Sequence, residues 1–426
     1  MNLHYKRLFK IVIICILASM AILSIGQLIF KSYTNNHFDN ERWGQDLHQF
    51  WYGGHLLMQG KNPYIVLYNQ KPLGYSPNSG YHPQAAQNPA KERWKVRIIP
   101  ASAPIFLLMA PLSLLPWACA TIVWLLVNMA LGVFFVWIIL RCIGKNLFSL
   151  DGLLLTSLFF SLICTRQVFE LGQTSLIVAV FMWLSFMVLS KSQILSGILL
   201  GIAFSKFTLA LPMVFYFAYK KKIWALLFCC ITQVVGLLIL CVATQTNPAI
   251  TVKAYLAGSR LVLNQTKSFA VHLSALPWGS ISSILGWIIT AATIAFPCWF
   301  RFRSSSVRSD AYSEKFIALI LISIFSFWSL LVLYHGRQDM VIILPFIALV
   351  LFGLNAHDSS GERRVSIIGG ERLLIYAMCA LVFSVWIFPV YLLIGFDFYR
   401  SLYGACTIAA FAISLRLLFS IQKPSS

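Results

Sequence analysis

The chain has 426 residues, of which 59% are hydrophobic and only 11% are charged. Soluble globular proteins carry about a quarter charged residues, so this composition excludes an ordinary soluble domain and indicates a membrane protein. The formal net charge of +20 comes from basic residues at the ends of apolar runs, a placement that sets membrane topology and argues against nucleic-acid binding.

Apolar runs follow one another along most of the chain and predict an all-α polytopic membrane protein with roughly 10–12 transmembrane helices. The first run, residues 8–30, is too long for the apolar core of a signal peptide, and no A-x-A-like site follows it. We therefore expect an uncleaved span there. The other predicted spans lie near residues 117–140, 150–165, 173–190, 194–206, 208–219, 223–244, 277–300, 316–334, 340–355, 373–395 and 401–421.

Two apolar stretches depart from the pattern of a full span. Residues 98–115 are interrupted by prolines, which remove backbone donors and break helices, so we expect a re-entrant or interfacial segment. The runs 194–206 and 208–219 are short for a bilayer crossing. They predict a broken helix or a half-membrane hairpin around Lys206.

The basic cluster at residues 6–10 predicts that the N-terminus lies in the cytoplasm. The polar stretches that then fall on the outer side are the loop 31–97, the turn after Thr165, the vicinity of Lys206, the segment 245–276 and the turn 334–339. We expect the functional polar residues to gather on this outer face.

The densest polar and aromatic signal runs from Asp46 to Tyr52, within the loop 31–97. Apolar residues recur there at helical spacing, which predicts a short amphipathic helix on the membrane surface that ends at Asn62-Pro63. Asp46 falls in its first turn, where a carboxylate suits the positive end of the helix dipole. Two roles are open for Asp46, as a reacting group or as the cap of a surface helix.

Three further polar signals stand at the edges of apolar runs. Gln173 opens a span and either points into the outer mouth of the bundle or caps the helix. Lys206 stands between two short apolar runs and faces a cavity or a charged partner, or else extends to the membrane interface. Asn264 and Gln265 belong to a predicted polar loop on the outer side.

The turn 334–339 concentrates His335, Arg337 and Asp339 between two apolar spans. An arginine there suits bidentate binding of a phosphate group. The alternative is a self-contained turn in which Arg337 pairs with Asp339. No P-loop, Rossmann glycine pattern or HExxH motif occurs in the chain, which argues against an ATP-driven transporter.

The order of these motifs over residues 46–350 follows a known pattern. The motifs are Asp46 with Trp51-Tyr52, Gly60 with Asn62-Pro63-Tyr64, Ala110-Pro111-Leu112 with Leu115-Pro116, Gly172-Gln173, Gly197 to Lys206, Asn264-Gln265, and Tyr334-His335 with Asp339. In this order the chain resembles glycosyltransferase family 87. Family members often carry Tyr-Pro-Pro before the proline-broken segment and paired histidines in the late turn, and this chain has neither.

The resemblance implies a GT-C-like helix bundle that forms a single transmembrane glycosyltransferase domain over residues 1–426, with 31–97 as its first outer loop. It implies an inverting hexosyltransferase that moves a sugar, with mannose favoured, from a polyprenyl-phosphate donor to a hydroxyl of a lipid or glycan acceptor. The reaction is expected at the outer face of the cytoplasmic membrane. The resemblance implies neither a metal nor another cofactor.

The resemblance also implies roles for individual residues. Asp46 is expected to act as the general base, with His335 as a second catalytic group. The cations expected at the donor phosphate are Lys206, Arg337 and Arg97. The residues expected to contact the sugar or the acceptor are Tyr52, Tyr64, Gln173, Asn264, Gln265 and Asp339.

Two other functions remain open from the sequence. A polytopic transporter or a lipid or glycan flippase would place charges on both sides of a pathway and often shows repeat symmetry between its halves. The polar residues of this chain gather on one predicted face instead. A membrane scaffold or glycan-binding protein would leave Lys206 and the turn 334–339 without a role.

Overall fold

The computed structural model describes residues 3–34, 44–69, 102–265, 311–332, 337–352 and 412–414. Every regular element within these ranges is helical, which confirms the predicted all-α class. The predicted spans 277–300 and 373–395 lie outside the described residues, and so does the span 401–421 apart from 412–414.

The helices before Gly172 are α1 (Leu3–Thr34), α2 (Gln45–Met58), α3 (Pro63–Asn69), α4 (Ala103–Met109), α5 (Trp117–Cys142), α6 (Leu150–Ser161) and α7 (Ile163–Leu171). A 3₁₀ turn, Pro111–Leu114, lies between α4 and α5. Proline is favoured in the first turn of a helix, where its missing N–H costs nothing. The described part of the predicted proline-broken segment, residues 102–115, therefore forms two short helical pieces.

The helices after Gly172 are α8 (Ser175–Val188), α9 (Gln193–Ala203), α10 (Phe207–Tyr219), α11 (Ile223–Ala243), α12 (Pro248–Gln265), α13 (Ala311–Val332) and α14 (Leu344–Phe352). The predicted polar loop at Asn264-Gln265 is wrong, because both residues end helix α12. Asn247 begins this helix, since its side-chain oxygen accepts from the backbone N–H of Ala249 at 2.8 Å.

Several helices of the described part have the length and composition of membrane spans. By length and composition alone, four stretches qualify, within α1, in α5, across the hairpin of α9 and α10 described below, and in α11, and a fifth does if α6 and α7 count together. Large apolar side chains such as Ile22, Ile122 and Val242 are exposed on α1, α5 and α11. Apolar surface of this extent suits lipid rather than water. The protein is therefore an all-α polytopic membrane protein.

The predicted span 150–165 is bent rather than continuous. Helix α6 ends at Ser161, and α7 leaves it at 58°. The hydroxyl of Ser161 donates to the carbonyl of Leu158 at 2.7 Å, a local bond that competes with the helical ladder. The turn predicted after Thr165 is wrong, because that residue lies inside α7 and the chain turns at Gly172 instead.

Helices α9 and α10 form a hairpin with Lys206 at its tip. The stretch Gln193–Tyr219 is 27 residues long, and a straight helix of that length would hold its ends about 40 Å apart. Ile194 near its start and Trp224 just beyond its end nevertheless line one cavity. Helix α10 therefore returns toward the level at which α9 began, which fits the predicted hairpin rather than the broken helix.

The two ends of helix α5 contact different groups of residues. Beyond its C-terminus, Lys145 and Lys10 donate to the carboxylate of Asp151 at 2.8 and 2.7 Å. Near its N-terminus, the indole of Trp124 donates to the carbonyl of Gly172 at 2.9 Å. We call these the basic end and the site end. At a rise of 1.5 Å per residue, Trp124 lies about 10 Å from the N-terminal end of α5 and about 27 Å from its C-terminal end.

Candidate functional site

Helix α2 is held against the protein at the site end. The backbone N–H of Gly44 donates to the carbonyl of Glu170 at 2.8 Å, and the indole of Trp51 donates to the carbonyl of Leu115 at 3.1 Å. A helix on the membrane surface would turn its apolar side toward lipid. The apolar side of α2 packs against the protein instead, because Leu47 and Phe50 are buried in the core that includes α4. This packing fixes the position of Asp46 in the first turn of α2.

Gly172 connects helix α2 to the start of α8. It ends α7 in the left-handed conformation, at φ +66°, which glycine adopts without steric strain. A Cβ atom on Gly172 would lie 2.5 Å from the Cβ atom of Leu47. The backbone N–H of Gln173 donates to the carbonyl of Val168 at 3.0 Å, so this turn fixes the direction of the Gln173 side chain.

Five side chains meet beside this turn, and we call them the polar cluster: Asp46, Gln173, Ser175, Lys206 and Asp339. The amide of Gln173 donates to a carboxylate oxygen of Asp46. The ammonium group of Lys206 donates to Gln173 Oε1 at 3.2 Å, to Ser175 Oγ at 3.1 Å and to Asp339 Oδ1 at 2.5 Å. The hydroxyl of Ser175 donates to the same oxygen of Asp339 at 2.7 Å.

The side chains of the polar cluster differ in their exposure to solvent. Ser175 is fully buried and the side chain of Asp339 is 3% exposed, whereas the side chain of Lys206 is 24% exposed. Asp46 is half-buried. A carboxylate as buried as Asp339 requires a counter-ion, which Lys206 supplies. Asp46 and Lys206 are therefore the parts of the cluster that an incoming molecule reaches first.

Four of the predicted site residues thus come together: Asp46, Gln173, Lys206 and Asp339. The roles expected for them remain proposals. Asp339 bonds to Lys206 and Ser175. The alternative interpretation, a turn in which Asp339 pairs with Arg337, did not predict these two contacts.

Of the other predicted site residues, the side chains of Tyr52 and Tyr64 are described and those of the rest are not. The ring of Tyr52 stacks on His48 with centroids 6.3 Å apart, on the same helix as Asp46. The backbone of Arg337 begins the 3₁₀ turn that contains Asp339. Nothing is described of the side chains of Arg337, Asn264 and Gln265, nor of any part of His335 and Arg97.

Tyr64 packs in the core rather than in the polar cluster. Its ring meets those of Phe106 and Tyr255 at centroid distances of 5.3 and 5.4 Å. Burial, followed by the nearby Tyr255, raises the pKa of the Tyr64 phenol well above its usual range. The phenol therefore stays neutral at physiological pH. The sugar contact expected from Tyr64 stays a prediction that its 4% exposure does not favour.

The motif around Asn62 has a structural role. Its side-chain oxygen accepts from the backbone N–H of Tyr64 at 3.0 Å and so begins helix α3. Its amide donates to the hydroxyls of Thr246 and Thr251, each at 2.8 Å. Asn62 thereby ties the end of α2 to the turn between α11 and α12.

Sequence reasoning missed Ser175 and His48. Ser175 lies two residues beyond Gln173, a spacing that gives no sign of its bond to a residue 164 positions away. His48 packs edge-on against Trp117 with ring centroids 4.8 Å apart. The aromatic run from His48 to Tyr52 was the sequence signal that could have indicated His48.

Replacing Gly172 with alanine is expected to separate Asp46 from Gln173. The left-handed backbone costs about 1 kcal/mol for alanine, and the clash with Leu47 adds about 1–3 kcal/mol. Gly60→Ala is the matched control, because Gly60 is also left-handed, at φ +70°, but a Cβ atom there would meet only a carbonyl oxygen at 3.8 Å. Thermal denaturation in detergent should show a larger loss for Gly172→Ala, and equal losses would contradict the close contact.

Comparison with known proteins supplies one match. The model of a family described as glycosyltransferase family 87 matches residues 103–333, more than half of the chain. The matched range contains Gln173, Ser175 and Lys206. Asp46 lies before it and Asp339 lies after it. No curated protein and no solved structure matches.

Proposed function

Because the chain belongs to glycosyltransferase family 87, we propose that this membrane glycosyltransferase is an inverting hexosyltransferase that uses a polyprenyl-phosphate-linked sugar. The sugar, with mannose favoured, passes to a hydroxyl of a lipid or glycan acceptor. The observation that carries the proposal is the link from Asp46 through Gln173 to Lys206. It joins a half-buried carboxylate, suited to accept a proton, to a cation suited to meet a phosphate.

Asp46 is the proposed general base. The acceptor oxygen forms a bond to the anomeric carbon while the acceptor proton passes to Asp46. The bond from that carbon to the phosphate oxygen breaks, and its electron pair leaves with the polyprenyl phosphate. Attack opposite the leaving group inverts the configuration at the anomeric carbon. The amide of Gln173 donates to one carboxylate oxygen of Asp46 and so helps to hold the carboxylate in place.

Lys206 is the proposed cation for the phosphate that leaves. Negative charge grows on that group in the transition state, where a fixed cation in a water-poor site stabilises it most. Within the described residues, the polar cluster holds two carboxylates and one ammonium group. A further positive charge is therefore needed beside the donor. We assign it to Arg337, two residues from Asp339, and to Arg97, with His335 orienting the acceptor.

The proposed site faces outward. The basic end contains Lys10 and Lys145, and short segments rich in lysine and arginine stay on the cytoplasmic side. The polar cluster lies at the opposite end. In a cysteine-depleted background, a membrane-impermeant thiol reagent added to intact cells should label Gln59→Cys, at the site end, and spare Phe148→Cys, beside Lys145. The reverse labelling would contradict the orientation.

The proposed reaction is tested with purified protein and two radiolabelled donors. One is a polyprenyl-phosphate mannose, and the other is a nucleotide-linked mannose, each mixed with membrane lipid and glycan extract. Label is expected to enter the extract from the polyprenyl donor alone, with release of an equal amount of polyprenyl phosphate. Transfer from the nucleotide donor alone would overturn the donor class while leaving the family assignment intact.

A further inference from the structure

A cavity of about 560 Å³ lies far from the polar cluster, between the turn that joins α8 to α9 and the turn that joins α10 to α11. Helix α8 starts beside the polar cluster and is 14 residues long, so it ends about 20 Å away. The cavity therefore lies toward the basic end. It has no part in the proposed sugar transfer, and a ligand could bind there whether or not that reaction takes place.

The polar mouth of this cavity is positively charged. Lys191 and Lys222 line it together with the hydroxyls of Ser190 and Ser192. Neither lysine forms an ion pair with any described residue, and no acidic side chain lines the cavity. The N-terminus of helix α9 also opens here, which adds the positive end of a helix dipole. These groups together suit one anionic ligand.

The wall of the cavity is aromatic. Trp224 is 61% exposed at the start of α11, and Phe228 lies one turn further along the same helix. Exposed tryptophan on a membrane helix belongs at the level of the lipid headgroups. The cavity therefore places cationic groups beside aromatic side chains.

We propose that this cavity binds the headgroup phosphate of an anionic phospholipid from the leaflet at the basic end. Lys191 and Lys222 contact the phosphate, and the acyl chains follow Trp224 and Phe228. Basic pockets between membrane helices on the cytoplasmic side bind anionic lipid headgroups in this way. A free phosphate ion would use the two lysines but leave the aromatic wall without a role.

The test measures lipid retention by native mass spectrometry and melting temperature in neutral detergent. The probes are dioctanoyl phosphatidylglycerol, dioctanoyl phosphatidylcholine and inorganic phosphate. Phosphatidylglycerol is expected to bind and raise the melting temperature, and the other two are not. The double variant Lys191→Gln/Lys222→Gln is expected to bind it about thirtyfold more weakly, since each lysine near an anionic lipid contributes about fivefold.

The matched control is Lys220→Gln/Lys221→Gln, which removes the same charge next to the cavity but not from its lining. It is expected to bind phosphatidylglycerol within about twofold of the parent protein, an effect set by screened surface charge alone. Equal weakening in both double variants would overturn the site in favour of diffuse surface charge. Protection by inorganic phosphate equal to that by phosphatidylglycerol would overturn the lipid as ligand.

Discussion

Replacing Asp46 with asparagine is expected to slow sugar transfer by about a hundredfold to ten-thousandfold, the usual effect of removing a general base. Asparagine has nearly the same shape, and its amide oxygen still accepts from Gln173, so the contacts of α2 remain. The variant, however, has no carboxylate to take the proton from the hydroxyl of the sugar acceptor. Initial rates with saturating donor, together with a melting curve of the variant, measure the two effects separately.

Glu170→Gln is the matched control for this experiment. Glu170 is another half-buried acidic residue at the site end, and its contact with α2 is made through its backbone carbonyl. The control is expected to keep nearly the parent rate. Transfer by Asp46→Asn within threefold of the parent would show that Asp46 is not the base, and the proposed mechanism would then fall.

Replacing Lys206 with methionine is expected to affect both stability and transfer. The buried carboxylate of Asp339 would lose its ammonium partner, and breaking such a pair on one side destabilises a protein by about 3–5 kcal/mol. Transfer is expected to fall by about a hundredfold to a thousandfold, because the leaving phosphate loses a fixed positive charge. Melting temperature and initial rate are measured on the same preparation.

The double variant Lys206→Met/Asp339→Asn separates these two effects. Asparagine at position 339 carries no charge, and its amide oxygen still accepts from Ser175. Most of the lost stability is therefore expected to return. Transfer is expected to stay low, because the cation is still missing. A double variant that regains both stability and transfer would reduce Lys206 to a counter-ion for Asp339.

Local sequence patterns were sufficient to predict much of the fold. Apolar spacing placed α5 and α11 within a few residues of their observed bounds. Two short apolar runs around Lys206 predicted either a broken helix or a hairpin, and the structure has the hairpin. The bend between α6 and α7 was not predicted, because it arises where the backbone of Leu162 becomes extended. The composition of the apolar run gives no sign of that break.

The candidate site was predictable residue by residue but not as an arrangement. Asp46, Gln173, Lys206 and Asp339 each stood out as polar groups at the edges of apolar runs. Their bonds join positions 127 and 133 residues apart, and single-sequence periodicity carries no information at that range. Tyr64 belongs to a recognised motif but packs against Phe106 and Tyr255 in the core, a position that the motif alone did not indicate.

The depth of Gly172 along α5 has a consequence for how a lipid-linked donor reaches the enzyme. Trp124, which donates to Gly172, lies about 10 Å from the start of α5, and the first turn of α2 packs on Trp117 at that start, so the site lies at the level of the first two turns of α5. Pulling a prenyl chain into water costs about 0.8 kcal/mol for each methylene group exposed. For the proposed polyprenyl-phosphate donor, a phosphate bound at this level would let the whole prenyl chain remain in the bilayer.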